Sequence, residues 1–347
     1  MKLESIMDEF IARQGSDLFL TYGYPAVMRL DNKMIRLSDM PIDDGNITEI
    51  MQALLDENQM DEFESTLEYN TIKSWYGKAR LRVNVFRQQQ HNAFAMALPQ
   101  IYKDLIMMKR GLVLVVGQTG CGKSTSLAGM IGHRNTYGYG HIITIEDPIE
   151  YVHQHNNCII SQRDVGIDTY SFGMALKNAL RQTPDVILIG EIRDRETMES
   201  AIAFAETGHL CVSTLHSNNA NQAIERILNF FPVEIHRQIL ANLSFNLRGI
   251  ISQRLVENVK GKRSPAVEVL LNEGIIRDHI HAGNITMLKE EMEKHQDRGM
   301  QTFDQSLLDL YRKGTITEEI ALKESDSPSN LRMKIKQNDN EQKFQTA

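Results

Sequence analysis

Apolar positions change their period along the chain. In "DEFIARQGSDLFLTYGYPAVMRLDNKMIRL" a helical spacing gives way to short alternating stretches broken at Gly15, Gly23, Pro25 and Asp31-Asn32, so a helix followed by strands is predicted. "ITEIMQALLDENQMDEFEST" has a helical pattern throughout. In "KARLRVNVFRQ", Leu81, Val83 and Val85 alternate with Arg80, Arg82 and Asn84, as in a half-buried strand. Residues 1–98 thus read as a small α+β domain, with "QQQHN" at 88–92 as a polar hairpin tip or linker. Beyond it, "LVLVV", "HIITI", "VILIG" and "HLCVSTL" are near-continuous apolar runs separated by helical segments. Strands buried on both faces look like this, and their alternation with helices predicts a parallel α/β sheet over 99–285. Residues 286–325 are helical and charged, and the polar tail 326–347 is expected to be disordered.

Composition narrows the class. The chain has 347 residues, 41% hydrophobic and 24% charged, which suits a two-domain globular protein. A formal charge of −7 gives little of the phosphate-backbone attraction that dominates nucleic-acid affinity, so no nucleic-acid partner is expected. No apolar run approaches the ~20 residues of a membrane span, and "MKLESIMDEF" lacks the apolar core of a secretory signal. Cys121, Cys158 and Cys211 form no C-x-x-C pair and read as reduced thiols, which points to the cytoplasm.

The candidate chemistry begins at "GQTGCGKSTSLAGMI", which fits G-x-x-x-x-G-K-[ST] between a strand and a helix. In such a loop the backbone from Gly117 through Gln118, Thr119, Gly120, Cys121 and Gly122 wraps phosphates. Lys123 brings a charge to the β and γ phosphates, Ser124 offers a hydroxyl to Mg²⁺, and Thr125 approaches the α-phosphate. ATP and Mg²⁺ are the expected cofactors. "ITIEDPIEYVH" carries Glu146, Asp147 and Glu150 off a buried strand at the edge where the phosphate loop lies. Such a group can position water, assist proton transfer, hold Mg²⁺ or simply face solvent. "DVILIGEIRD" delivers Glu191 to the same edge, where an acid can organise Mg²⁺ or the attacking water; Arg193 and Arg195 follow. "TGHLCVSTLHSNNA" starts at His209 and ends at His216, each open to a structural or a phosphate-sensing reading. "HQH" at 153–155 and "HIH" at 279–281 lack the further ligands a metal site needs.

Taken in order, "GQTGCGKSTSLA", "HIITIEDPIEYVH", "DVILIGEIRDRET" and "AETGHLCVSTLHSNNA" resemble the Walker A, Asp, Walker B and His boxes of the secretion ATPases, most closely the type IV pilus retraction ATPases of the PilT/PilU group. "GSDLFL" and "GMQTFDQSLLDLY" extend the likeness over nearly the whole chain. The tail through "TITEEIALKESDSPSNLRMKIK" and the altered "GIIRDHI" resemble the PilU branch. The resemblance implies a RecA-like P-loop ATPase domain after a PAS-like N-terminal domain, in a homohexamer at the inner-membrane pilus base. It also implies partners: a PilT-like retraction ATPase and a PilC-like platform protein. Carried over position by position, it gives Glu150 the general-base role and Glu191 the Walker-B role. His209 and His216 become the His-box pair, and Arg80 and Arg82 become candidate arginine fingers.

One departure stands out. Relatives place another arginine before a longer linker, whereas no arginine occurs between Phe94 and Tyr102 here and the segment looks shortened. The expectation is a weak ATPase that depends on a partner hexamer. An independent PilT-type motor, a non-catalytic ATP-binding ring and a RecA-like nucleic-acid motor are the alternatives; the last needs basic, aromatic-lined loops, and none stands out.

Overall fold

The computed structural model describes residues 3–31, 33–76, 78–86 and 99–345. Helix α1 (Leu3–Ala12) precedes three short strands, β1 (Asp17–Phe19), β2 (Val27–Leu30) and β3 (Lys33–Arg36), which form an antiparallel sheet. The stretch expected to be one helix is two, α2 (Asp44–Leu54) and α3 (Glu57–Thr66). Leu55 is the C-cap of the first and Asp56 the N-cap of the second, with reciprocal bonds between Asp56 and Gln59. β4 (Glu68–Trp75) and β5 (Ala79–Phe86) then form an antiparallel ribbon. One apolar core unites this part, built on Ile6, Met7, Phe10, Met28, Ile42 and Trp75, with Leu81 and Val83 packed against it. The segment "QQQHN" lies outside the described residues.

After α4 (Gln100–Ile106) come β6 (Gly111–Val116), α5 (Lys123–Tyr137), β7 (Gly140–Glu146), β8 (Cys158–Asp164), α6 (Phe172–Ala179), β9 (Val186–Ile189), α7 (Arg195–Glu206) and β10 (Leu210–Leu215). Helices α8 (Ala220–Asn229) and α9 (His236–Asn246) follow, then the hairpin β11 (Leu247–Glu257) and β12 (Arg263–Leu271). The strand order of this sheet is β12-β11-β6-β10-β9-β7-β8. β7 pairs in parallel with β8 and β9, β6 pairs in parallel with β11, and β11 pairs antiparallel with β12. All four apolar runs of the sequence are strands here, and every residue of β6, β9 and β10 is buried. The chain closes with α10 (Ile275–Ala282), α11 (Leu288–Lys294), α12 (Phe303–Arg312), α13 (Glu318–Glu324) and α14 (Pro328–Gln345).

The disordered tail expected for 326–347 is corrected by α14. Pro328 opens that helix where a missing N–H costs nothing, and Asp304 accepts from the backbone N–H groups of Asp326 and Ser327 just before it. Leu331 and Ile335, four apart, are buried against Val256, Phe303 and Leu307. Two correctly spaced apolar residues therefore dock an otherwise polar segment.

The chain divides into two compact units. The first holds residues 1–111, 126–192 and 199–212; the second holds 112–125, 193–198 and 213–347.

Candidate active site

In the second unit, β6 runs straight into the phosphate loop. Gly117, Gly120 and Gly122 have φ of 152°, 77° and 90°, conformations that L side chains rarely adopt. Register with β11 places Ser252 opposite Val116, so Gln253 arrives beside Gly117. A Cβ on Gly117 would stand 2.5 Å from both Cys121 Sγ and the Gln253 carbonyl oxygen. Gln253 Nε2 donates to the Cys121 carbonyl at 2.5 Å and braces the loop from below. Lys123, buried at the start of α5, donates through Nζ to the carbonyls of Gly117 (2.9 Å) and Gln118 (3.0 Å). Burial raises the Cys121 thiol pKa, which keeps it a neutral lining group. Ser124 and Thr125 follow in the first turn of α5.

A cavity of about 440 Å³ opens beside this loop, lined by Gly117–Thr119 and by His216, Ser217, Asn218, Gln222 and Arg226. Gln118 Nε2 donates to Asn218 Oδ1 at 3.2 Å, joining the loop to the segment after β10. Gly117→Ala is expected to lower both melting temperature and nucleotide affinity, since a strained φ alone costs about 1–3 kcal/mol and the Gln253 backbone blocks relief. Thermal denaturation with ADP titration calorimetry checks this; an alanine variant that melts and binds like the parent would contradict it.

In the first unit, the parallel register brings acids to one strand edge. Glu146 pairs with Asp164 across β7–β8, and Ile145 pairs with Ile189 across β7–β9. Gly190 then donates its N–H to the Ile145 carbonyl at 2.8 Å. A Cβ there would lie 3.1 Å from Glu146 Cα, so the glycine lets the strand carrying Glu191 close on the strand carrying Glu146. Glu146 Oε1 accepts from Thr144 Oγ1 at 2.7 Å and Gln162 Nε2 at 3.4 Å. Burial pushes its pKa up to about 7, the two hydrogen bonds hold it down, and Glu150 and Asp164 add repulsion that raises it. Asp164 accepts from the Ile149 N–H at 3.3 Å and fixes the turn that leads to the exposed Glu150. The Asp147–Pro148 bond in that turn is cis.

The type II/IV secretion system protein family matches residues 76–346. The chain is 47% identical to "Type IV pilus ATPase PilU" of Pseudomonas aeruginosa, over 97% of this chain and 92% of that one. To "Type IV pilus retractation ATPase PilT" of the same organism it is 37% identical, over 93% and 98%. A solved structure, "Crystal Structure of the Pilus Retraction Motor PilT and Bound ADP", matches 96% of this chain and 99% of that one at 38% identity and a TM-score of 0.65. The chain belongs to the type II/IV secretion system protein family. Both of these Pseudomonas relatives are named as ATPases, in agreement with the resemblance read from the four boxes.

For a secretion ATPase, the remaining candidates fall unequally. His216 lines the cavity beside Gly117. His209 is not among the residues that line it: it precedes β10, whereas His216 follows that strand. The His209 carbonyl accepts from Gly111, at the start of β6, while its ring Nδ1 lies 3.0 Å from Thr207 Oγ1 and 3.2 Å from the Phe204 carbonyl. These contacts brace the turn after α7 at the start of β10. Arg82 is exposed on β5, opposite Ile72. Arg80 lies opposite Ser74, and its side chain is outside the described residues, as is most of the shortened span after Phe86.

Two groups escaped the sequence reading as site residues. Gln253 had no local signal, because its position under the loop depends on a strand that follows far along the chain. Glu146 was visible only as one of three strand-end acids, and its pKa near 7 comes from burial, with Glu150 and Asp164 adding to the rise against the Thr144 and Gln162 hydrogen bonds. Among the described residues, no cluster of three or more His, Cys, Asp or Glu is arranged to hold a metal ion, and no helix is long and apolar enough to cross a membrane.

Proposed function

We propose that this chain is an ATP-hydrolysing hexameric motor that powers type IV pilus retraction and twitching motility. It acts from the cytoplasmic face of the inner membrane beside a PilT-like retraction ATPase and on a PilC-like platform protein. The observation that carries the reading is the phosphate loop: three glycines at positive φ and a buried Lys123 bonded to the loop's own carbonyls, in a chain 47% identical to a PilU ATPase along 97% of its length. These residues fit a triphosphate. The glycine conformations free backbone N–H groups for anionic oxygens, and Lys123 can exchange two carbonyl partners for phosphate.

In this reading Lys123 grips the β and γ phosphates and Thr125 approaches the α-phosphate. Ser124 and Glu191 would hold Mg²⁺, partly through water, and the ion would offset phosphate charge. Glu150 positions the attacking water and accepts its proton. His216, at the cavity wall, senses the γ-phosphate, while His209 holds the start of β10. Arg80 and Arg82 are the candidate arginine fingers for a neighbouring subunit's nucleotide. The missing arginine between Phe94 and Tyr102 supports an accessory, PilU-like role, since an arginine finger contributes ~10³–10⁵ in rate.

The test measures the mass of the purified chain in solution and its Mg–ATP turnover, alone and with a PilT-type hexamer. A hexamer with weak turnover that rises on adding the partner is the expected result. Turnover that matches a PilT-type motor without a partner would overturn the accessory role, and failure of the folded chain to bind Mg–ATP would overturn the whole reading.

A further inference from the structure

β12 carries an anomaly. Its sequence "AVEVLL" is an apolar run interrupted by Glu268, which is 1% exposed. A carboxylate in that position is costly unless strongly bonded. Glu268 Oε1 accepts from the Ala220 backbone N–H at 2.8 Å and from Ser252 Oγ at 3.0 Å. Burial raises its pKa to about 7, and these two bonds oppose the rise; Asp326 and Lys289 are the charged groups that act on it most.

Both partners lead to the phosphate cavity within the same unit. Ala220 is the first residue of α8, one N-cap residue (Asn219) after Ser217 and Asn218, and α8 supplies Gln222 and Arg226 to the cavity wall. Ser252 pairs with Glu268 on one side and with Val116, the last residue before the phosphate loop, on the other. The next residue, Gln253, grips the loop at Cys121. One carboxylate oxygen therefore connects the helix on one side of the cavity with the strand beneath the phosphate loop on the other.

We propose that Glu268 is a positioning residue for the nucleotide: it fixes α8 and β11 relative to each other, so that Ser217–Asn218 and the phosphate loop face the ligand at a set separation. The inference rests on the nucleotide-binding reading above. A carboxylate that only capped α8 would matter for stability and not for affinity, and the two roles separate cleanly. A leucine fills a similar volume and removes a buried carboxylate but strands the Ala220 N–H and the Ser252 hydroxyl, so Glu268→Leu should fold and melt somewhat below the wild-type temperature, and affinity is compared on the folded variant. Its Kd for Mg–ADP, by titration calorimetry at 25 °C, should rise about tenfold, the equivalent of one or two neutral hydrogen bonds. Glu268→Gln keeps the accepting oxygen and should bind within about twofold of wild type. Ser252→Ala removes the strand arm alone and should raise Kd about threefold, which decides the matter if the leucine variant does not fold. Folded leucine and alanine variants with wild-type Kd would overturn the inference while wild-type binding leaves the nucleotide reading intact. A glutamine variant as weak as leucine would overturn the hydrogen-bond tie. No binding of Mg–ADP by wild type would remove both.

Discussion

Lys123→Ala is expected to lower ATP turnover by about a thousandfold while the protein melts close to the wild-type temperature. The first half follows from charge. A cation about 4 Å from a phosphate oxygen, at an effective dielectric near 20, is worth about 4 kcal/mol, or roughly three powers of ten in rate when felt at the transition state. The second half follows from the structure. Lys123 Nζ is bonded to the carbonyls of Gly117 and Gln118, with no carboxylate in that pair of contacts. Its removal therefore strands no buried anion and leaves two loop carbonyls to water entering the cavity. In the proposed reading Glu191→Gln gives a contrasting pattern: Mg–ADP binding should persist and turnover should be lost, because there the acid would act on ion and water rather than on the phosphates. Steady-state turnover, ADP calorimetry and thermal melts on the same preparations check both. A Lys123→Ala protein within tenfold of wild-type turnover would remove the phosphate loop from the mechanism.

What the sequence made legible follows the range of the forces involved. The phosphate loop is a local backbone requirement, so Gly117, Gly120, Gly122 and Lys123 declare it in eight residues. The buried strands also show, because "LVLVV" and "VILIG" are apolar on both faces. The break at Asp56 was legible in principle, as Asp56 and Gln59 have capping-box spacing, but the continuous helical pattern around it masked the signal. The polar composition of the tail hides its helical period: Leu331 and Ile335 are the contacts that matter, and they lie four positions apart. Nothing local announces that Gln253 lies under Cys121, that Gln162 reaches Glu146, or that Glu268 meets Ala220. Each depends on strand register between distant segments. The histidines show the same limit. His209 and His216 are equivalent in the pattern, and only the direction of β10 puts one at the cavity and the other at the start of the strand.

Register also creates the point where the first unit is most vulnerable. Glu68, at the start of β4, meets Arg163 of β8 at 2.6 Å, with side-chain exposures of 2% and 1%. Thr169 Oγ1 donates to Glu68 Oε1 at 3.1 Å, Arg163 Nη2 donates to the Asp168 carbonyl at 2.9 Å, and the guanidinium lies over the Phe86 ring. Glu68 Oε2 and Arg163 Nε and Nη1 have no partner among the described residues, so the pair has paid desolvation without full compensation. Loss of one member leaves the other as a buried lone charge, which costs about 3–5 kcal/mol, whereas an apolar pair of similar volume is neutral or stabilising. Glu68→Ala and Arg163→Ala should each destabilise by that amount, and Glu68→Leu with Arg163→Met should recover wild-type stability or exceed it. The chain's single tryptophan, Trp75, is buried in the N-terminal core at the other end of β4 and reports the transition directly. Denaturant titration followed by its fluorescence should show the midpoint fall in both single variants and return in the double. Single variants that unfold at the wild-type midpoint would mean that the two charges do not hold β4 against β8. A double variant as weak as the singles would mean that the ion pair itself, rather than the relief of a lone charge, secures the contact. Asp164 follows Arg163 directly and fixes the turn to Glu150, so the same titration bears on how the N-terminal strands support the acid that faces the nucleotide in the proposed reading.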